Sequence, residues 1–311
     1  PNCIPPLIVI ATMLVARAIS LEATLSFLGV GVPITEPSLG LLISNGFQFV
    51  MSGQYWISVF PGIALLILIV AINLVGILHE TRKATFKAIQ GEAPGRIARA
   101  AAASGARAVV QISAIGADPA SPSAYARTKA EGEVAVQEAF PGATVLRPSI
   151  VFGPEDGFFN RFAAMARLSP ALPLIGGGHT LFQPVYVGDV ADAVLRALSD
   201  PRTQGKIYEL GGPKTYSFKA LMELMLATIG RRRLLVPVPF GIAEIQGAVL
   251  QLLPVPPLTR DQVALLKRDN VVAEGALTLA DLGIEPTTLE VILPAYMERF
   301  RRDGHYSRYA A

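Results

Sequence analysis

The hydrophobic pattern changes once along the chain. From Leu7 to about Val32 apolar positions follow one another, interrupted only by Arg17 and Glu22, and from Trp56 to Leu78 they run with no charge. Runs of that length cross ~30 Å of hydrocarbon as helices. The pattern therefore predicts two transmembrane α-helices, at about 7–30 and 56–78. Pro33 to Gly40 between them reads as a turn, and Phe47, Phe49, Tyr55 and Trp56 suit a membrane interface. A pair of buried helices in a large core is the alternative, but the second run is too long and too uniform for that.

Past residue 78 the apolar positions space out. His79 to Ser104 is Ala-rich and amphipathic, closed by Gly105, and predicts a helix. Ala108–Ser113 predicts a short buried strand, Ser123–Phe140 a helix and Ala143–Pro148 a second strand. Short apolar strands separated by helices argue for βαβ units in a parallel sheet. After Gly153 the strands shorten and their spacing becomes irregular, as in a smaller C-terminal lobe grafted onto such a sheet. The predicted class is α/β, with domains at 1–78 (membrane segment), 79–155 (sheet domain) and 156–311 (substrate or partner lobe).

Composition sharpens the boundary. The chain is 51% hydrophobic with a mean hydropathy of +0.45, too apolar for an ordinary soluble enzyme. The excess sits in Pro1 to Leu78, where the only formal charges are Arg17, Glu22 and Glu36. Arg82, Lys83 and Lys87 follow the second run, so the positive-inside rule predicts an inner (cytoplasmic) membrane location with residues 79–311 on the cytoplasmic side. A net charge of only +3 without a basic stripe argues against nucleic acid as a partner. Cys3 is the only cysteine, which excludes an internal disulfide framework or a Cys-rich metal site. His79, His179 and His305 lack ligand spacing, and no metal is expected. The opening Pro-Asn, with no charged stretch before the first apolar run, reads as a fragment start rather than a signal peptide.

The candidate chemistry is Ser113, Tyr125 and Lys129. Tyr125 and Lys129 stand four apart, on one face of a predicted helix. A nearby ammonium favours phenolate, so Lys129 is expected to lower the Tyr125 pKa toward a value useful for proton transfer. Ser113, at the end of the preceding strand, is placed to hydrogen-bond a substrate oxygen beside the phenol. A lone Tyr-x-x-x-Lys is otherwise a surface helix pair; the strand-borne serine twelve residues earlier separates the two readings. Asp189 is expected to cap a helix rather than touch substrate. Arg231 to Pro257, basic then apolar and Pro-rich, reads as a partner-docking surface or as part of a structural lobe.

Two resemblances attach to these patterns. Pro1-Asn2, Ile4-Pro5-Pro6, Leu21 to Gly31, Pro37 to Gly40 and Phe60 to Gly62 resemble the C-terminal end of a dipeptide/oligopeptide/nickel-type ABC-transporter permease. That resemblance implies membrane topology and ABC transporter subunits as partners through residues 1–78. Asn73 to Leu78, Ser113 to Ala117, Leu146 to Pro154, Phe158 to Phe162, Tyr208 to Pro213, Leu258 to Gln262 and Leu265 to Asn270 resemble the extended or atypical short-chain dehydrogenase/reductase family (NAD-dependent epimerase/dehydratase-like). Within it, residues 73–305 are most similar to the branch of the complex I accessory NADPH-binding subunit. The resemblance implies a Rossmann-type fold, NADP or NAD as cofactor and respiratory complex I subunits as partners. It implies Ser113, Tyr125 and Lys129 as the catalytic-type set, with Lys129 also near the nicotinamide ribose. Asn73, Leu74, Val75 and Gly76 would line the cofactor, as would Pro148, Ile150, Val151 and Phe152. Members of this branch bind nucleotide without an established turnover, so oxidoreductase activity does not follow from the set.

One departure matters. Dinucleotide-binding folds hold the pyrophosphate on a Gly-rich turn between the first strand and helix. Gly29-Val30-Gly31 sits in an apolar run and Gly176-Gly177-Gly178 lies in the wrong half, so the sheet reads as truncated and weakened NAD(P) binding is expected. Ile72 to Gly76 belongs to both resemblances at once. Residues 67–75 are a strand in one and helix in the other; helix is expected to win to Leu78, leaving the sheet to begin at Ala108 with an unpaired inner edge. Three readings stay open: a nucleotide-binding protein of the complex I accessory type, a permease component, and a non-functional chimera of the two.

Overall fold

The computed structural model describes residues 42–45, 56–57, 59–60, 77, 80, 85–253 and 256–301. The chain divides into two units, Pro1–Gly76 and Ile77–Ala311. In the first, residues 42–45, 56–57 and 59–60 are helical. Among the described residues no helix is long and apolar enough to cross a membrane. The expected spans at 7–30 and 56–78 fall almost wholly outside the described residues, as do Asn73 to Gly76 and the strand-or-helix choice at 67–75.

The second unit opens with the Ala-rich helix, which is not uniform as the sequence predicted. Lys87–Glu92 forms a π-helical turn that leads into α1, Ala93–Ala103. Pro94 has no N–H to give the carbonyl of Gln90, so the regular ladder cannot run through this point. α1 ends at Ser104 and Gly105, whose φ of +72° turns the chain out of the helix. β1 (Val110–Ile112), α2 (Ala124–Ala139) and β2 (Thr144–Pro148) follow, close to the predicted bounds.

Beyond β2 come β3 (Val151–Phe152), α3 (Phe159–Leu168), β4 (Ala171–Ile175), β5 (Leu181–Phe182) and β6 (Val185–Tyr186). Then α4 (Val187–Ser199), β7 (Ile207–Leu210), β8 (Tyr216–Ser217) and α5 (Phe218–Thr228). β9 (Leu234–Val238), α6 (Phe240–Leu250), α7 (Arg260–Leu265) and α8 (Leu289–Met297) complete the unit.

β1, β2 and β7 form one all-parallel sheet in that order, with Val110 opposite Thr144 and Val145 opposite Ile207. Side chains alternate across β2. Leu146 packs with Ala193 of α4, Tyr208 and Leu210, whereas Arg147 meets Glu133 of α2 on the other face. Small residues let α1 and α2 pack closely: Ala98, Val136 and Ala143 are buried together. Gly132 of α2 comes so near the Gln90 carbonyl that a Cβ there would overlap it. Among the described residues β1 pairs with β2 only.

The lobe has its own core, in which Phe152, Phe159, Leu172, Phe218, Met222 and Leu293 are buried. Around it, β4 pairs in parallel with β9, β5 in antiparallel with β8, and β3 in parallel with β6. The Arg231 to Pro257 stretch supplies β9 and α6 to this lobe; Leu234, Ile245 and Val249 there are exposed. Gly176, Gly177 and Gly178 all take positive φ in the turn between β4 and β5.

Candidate functional site

α2 carries Tyr125 and Lys129 and starts where the sequence predicted, because Ser123 accepts a capping hydrogen bond from the Ala126 N–H at 3.3 Å. Lys129 is buried. Its Nζ donates to the carbonyl of Ile112 at 3.3 Å and stands 5.7 Å from the centre of the Tyr125 ring. The structure thus brings Lys129 together with Tyr125 and ties Lys129 to the end of β1, at the residue before Ser113. Ser113 itself is only 3% exposed. Its N–H donates to the Leu146 carbonyl at 2.7 Å, but its Oγ has no partner among the described residues. Buried hydroxyls are almost always paired, so this one is a donor in waiting.

The electrostatics correct one expectation. Tyr125 is not eased toward phenolate by Lys129: burial pushes its pKa up to about 12, and the negative charge of Asp261 adds to the rise. Phe86 closes over the phenol side edge-on, ring centres 5.9 Å apart. Burial also lowers the Lys129 pKa, against which Glu133, one turn on, works to raise it. Desolvation is the largest cause of both shifts.

The expected cofactor-lining residues divide. Pro148 ends β2 and its carbonyl accepts from the Ile115 N–H at 3.0 Å, while the Ile150 N–H donates to Asn270 Oδ1 at 3.1 Å. Val151 packs beside Leu146 and Val185. Phe152 is 1% exposed, its ring 5.7 Å from that of Tyr186, so its side chain belongs to the lobe core. Asn73, Leu74, Val75 and Gly76 lie outside the described residues.

Asp189 does not cap α4. Tyr186 occupies the cap position without a side-chain bond, and the buried Asp189 carboxylate instead accepts from the N–H and hydroxyl of Thr287, at 2.7 and 2.8 Å.

Three residues around the site escaped sequence reasoning. Asp261 accepts from Ser123 Oγ at 2.8 Å and from the Ala124 N–H at 2.6 Å. Asn270 Oδ1 accepts from Ser149 Oγ at 2.6 Å, and its Nδ2 donates to the Ile115 carbonyl at 3.3 Å. Arg268 pairs with Asp118 at 2.8 Å. A local signal existed for the element: Thr259 and Gln262 form a reciprocal capping box at the start of α7. Nothing local says where Asp261 points.

Parts of the chain are similar to known proteins. Residues 77–211 match the NAD dependent epimerase/dehydratase family. The chain is 37% identical over 246 residues to an Arabidopsis thaliana protein named NADH dehydrogenase [ubiquinone] 1 alpha subcomplex subunit 9, mitochondrial; the match covers 76% of this chain and 61% of that relative. The chain therefore spans less than two thirds of that relative's length. Over 76 residues it is 47% identical to a putative peptide transport system permease protein of Brucella suis biovar 1, covering 24% of this chain and 25% of the permease. The fold is shared with DesIV, a dTDP-glucose 4,6-dehydratase from Streptomyces venezuelae solved with NAD and TYD bound, at a TM-score of 0.54 and 16% identity, over 73% of this chain and 72% of that one.

These findings correct the expected inner (cytoplasmic) membrane location. The relative that spans 76% of the chain is named as a mitochondrial subunit, and among the described residues no helix is long and apolar enough to cross a membrane. The α/β fold is Rossmann-like. Residues 73–305 resemble the complex I accessory-subunit branch of the NAD dependent epimerase/dehydratase family, and residues 1–76 resemble a peptide transport permease.

Proposed function

We propose that residues 79–311 form a nucleotide-binding component of the complex I accessory-subunit type. Residues 79–155 would supply the nicotinamide-side half of a Rossmann-type domain, and 156–311 the lobe that meets substrate or neighbouring complex I subunits. One observation carries the reading: the hydrogen bond from Lys129 to the Ile112 carbonyl fixes a buried ammonium beside Tyr125, at the strand end that bears the Ser113 hydroxyl, which has no partner among the described residues.

Those residues fit the nicotinamide end of NADP or NAD. Ser113 has a hydrogen bond left to give, and the Lys129 ammonium has three N–H donors against one carbonyl acceptor among the described residues. Lys129 would hold ribose hydroxyls, Ser113 a carbonyl or hydroxyl oxygen, and the Pro148–Val151 backbone would run beside the ring. When bound, the nicotinamide supplies hydride transfer. Tyr125, neutral at ordinary pH, would offer its phenol proton to a developing alkoxide. Turnover does not follow from these three residues.

Among the described residues no Gly-rich turn opens a βα unit, and we infer that the dinucleotide is held weakly. Titration of the full chain with NADPH and with NADH, followed by nicotinamide fluorescence, tests both statements. Binding weaker than micromolar, and weaker again in Lys129→Ala, is expected. Micromolar affinity would overturn the weakening, and equal binding by wild type and Lys129→Ala would overturn the site.

A second reading, a permease component, is favoured by the 47% identity over 76 residues and covers a quarter of the chain. The meeting of two unrelated likenesses around Ile72 to Gly76 favours a third, a join of two partial proteins. Long sequencing reads across codons 65–85 decide it: one contiguous natural locus supports a fusion, two separate loci the join.

A further inference from the structure

Arginines gather at one end of the C-terminal lobe, where α3, α5 and the turn after α8 finish. Arg233 Nε donates to the Ala166 carbonyl at 2.7 Å, in the last turn of α3. Arg301 Nε donates to the carbonyl of Thr228, the last residue of α5, at 3.1 Å. Arg231 Nε donates to the Phe300 carbonyl at 2.9 Å, so the two segments exchange arginines. Cations at helix C-termini take up carbonyls left without partners. That accounts for Arg233 and Arg301. It does not account for Arg167 and Arg232, which are exposed and make no side-chain hydrogen bond among the described residues. Among those residues none of Arg167, Arg232, Arg233 and Arg301 is paired with a carboxylate. Two leucines stand amid these charges. Leu168, next to Arg167, is 72% exposed, and Leu234, next to Arg233, is 71% exposed. The Leu234 N–H donates to the Pro170 carbonyl at 3.0 Å, two residues past Leu168. Leu235, on the opposite face of β9, is the one that packs on the lobe core.

We propose that this end of the lobe rests on an anionic lipid surface, its guanidinium groups on the phosphate headgroups and Leu168 and Leu234 in the apolar layer just beneath. Charge selects the occupant. A second copy of the chain, meeting this patch across a two-fold axis, would set arginines against arginines. Single-stranded nucleic acid is held by cations with aromatic rings between them, and the exposed apolar residues here are aliphatic. Bare leucines among arginines match the boundary between headgroups and acyl chains, and each cation near an anionic leaflet adds to the attraction. The contact stays within the headgroup layer and spans nothing. It uses none of the residues around Lys129 and needs no dinucleotide.

The test uses the full chain carrying Trp56→Phe and Leu234→Trp, so that its one tryptophan reports on the patch. Vesicles of phosphatidylcholine, alone or with about one third phosphatidylglycerol, carry bromine on their acyl chains and quench a tryptophan that enters them. Quenching with a blue shift is expected on the anionic vesicles, several-fold weaker on the neutral ones, and reversed at ~0.5 M salt. Equal quenching by both vesicles, or none by the anionic ones, would overturn the proposal. Arg167→Glu with Arg232→Glu reverses two charges that make no side-chain bond. With unchanged far-UV circular dichroism, this pair should weaken vesicle binding at least ten-fold. Quenching that survives it would show that other parts of the chain bring the patch to the lipid, which also overturns the proposal. Should the pair not fold, Arg167→Gln with Arg232→Gln carries the same test, with a several-fold loss expected. Poly-glutamate and a single-stranded oligonucleotide are tried in parallel; a larger blue shift with either than with the anionic vesicles would give the patch to an acidic protein or a nucleic acid instead. NADPH is absent throughout, so failure of the dinucleotide reading leaves the result intact.

Discussion

The guanidinium of Arg147 holds the carboxylate of Glu133 in a two-pronged grip, Nε at 2.9 Å and Nη2 at 2.6 Å. The pair joins β2 to α2 one turn beyond Lys129, and Arg147 also reaches Glu209 of β7 at 3.5 Å. Glu133 is buried, and the Arg147 guanidinium supplies its ion pair. Arg147→Met should cost about 3–5 kcal/mol, because it strands the buried Glu133 carboxylate away from water. Replacing both partners, Glu133→Leu with Arg147→Met, should recover most of that. Urea unfolding of the single and double variants checks it; a single-variant loss below about 1 kcal/mol would refute the dependence.

Gly132 gives a prediction of opposite sign to the usual rule. In a helix interior alanine normally gains about 1 kcal/mol over glycine. Here the added Cβ would run into the backbone carbonyl of Gln90, which cannot rotate aside as a flexible side chain would. Gly132→Ala should therefore lose about 1–3 kcal/mol. Thermal unfolding measures this, and a stabilised variant would show that α2 and the π-helical turn are not in close contact.

Asp156 sets a pH dependence. Its carboxylate accepts from the Phe158 N–H at 2.9 Å and the Tyr296 hydroxyl at 2.6 Å, yet burial outweighs those bonds and raises its pKa above the ordinary value. A raised folded pKa means the folded chain binds the proton more tightly. The stability this contributes is present below the unfolded value of 3.8 and is lost as pH rises through the folded pKa. Asp118, Glu244 and Glu290, held low by Arg268, Lys267 and Lys214, have the opposite slope. The wild-type stability minus that of Asp156→Asn isolates the one group, and should fall as pH rises from about 3 to about 7. A difference that is flat or rises across that range would contradict the assignment.

Local signals were readable and distant ones were not. Ser123 and Phe140 bound α2 as its caps because a helix start and its apolar period are written in neighbouring residues. β1 and β2 were legible for the same reason. The π-helical turn was missed although Pro94 stood in plain view, since an Ala-rich stretch outweighs one proline in any period count. The Tyr125 ionisation came out with the wrong sign: Lys129 was visible four residues on, while burial and Asp261 are properties of the folded chain. Asp189 looked like a cap for a nearby helix, but its partner Thr287 lies 98 residues on. The Leu265 to Asn270 motif was recognised as a likeness, with nothing in its letters to say that Asn270 meets Ile150.

The clasp after α7 also sets an order of events during synthesis. Asn270 joins Ile150 across 120 residues and Asp261 joins Ser123 across 138. β1, α2 and β2 leave the ribosome long before either partner exists, so the parallel sheet can assemble while the tyrosine loop is still open. Contacts of such sequence separation form late and slowly. A nascent chain paused before residue 260 would carry a finished strand-helix-strand unit with an unfinished site, the stage at which chaperones and proteases have their best access to it.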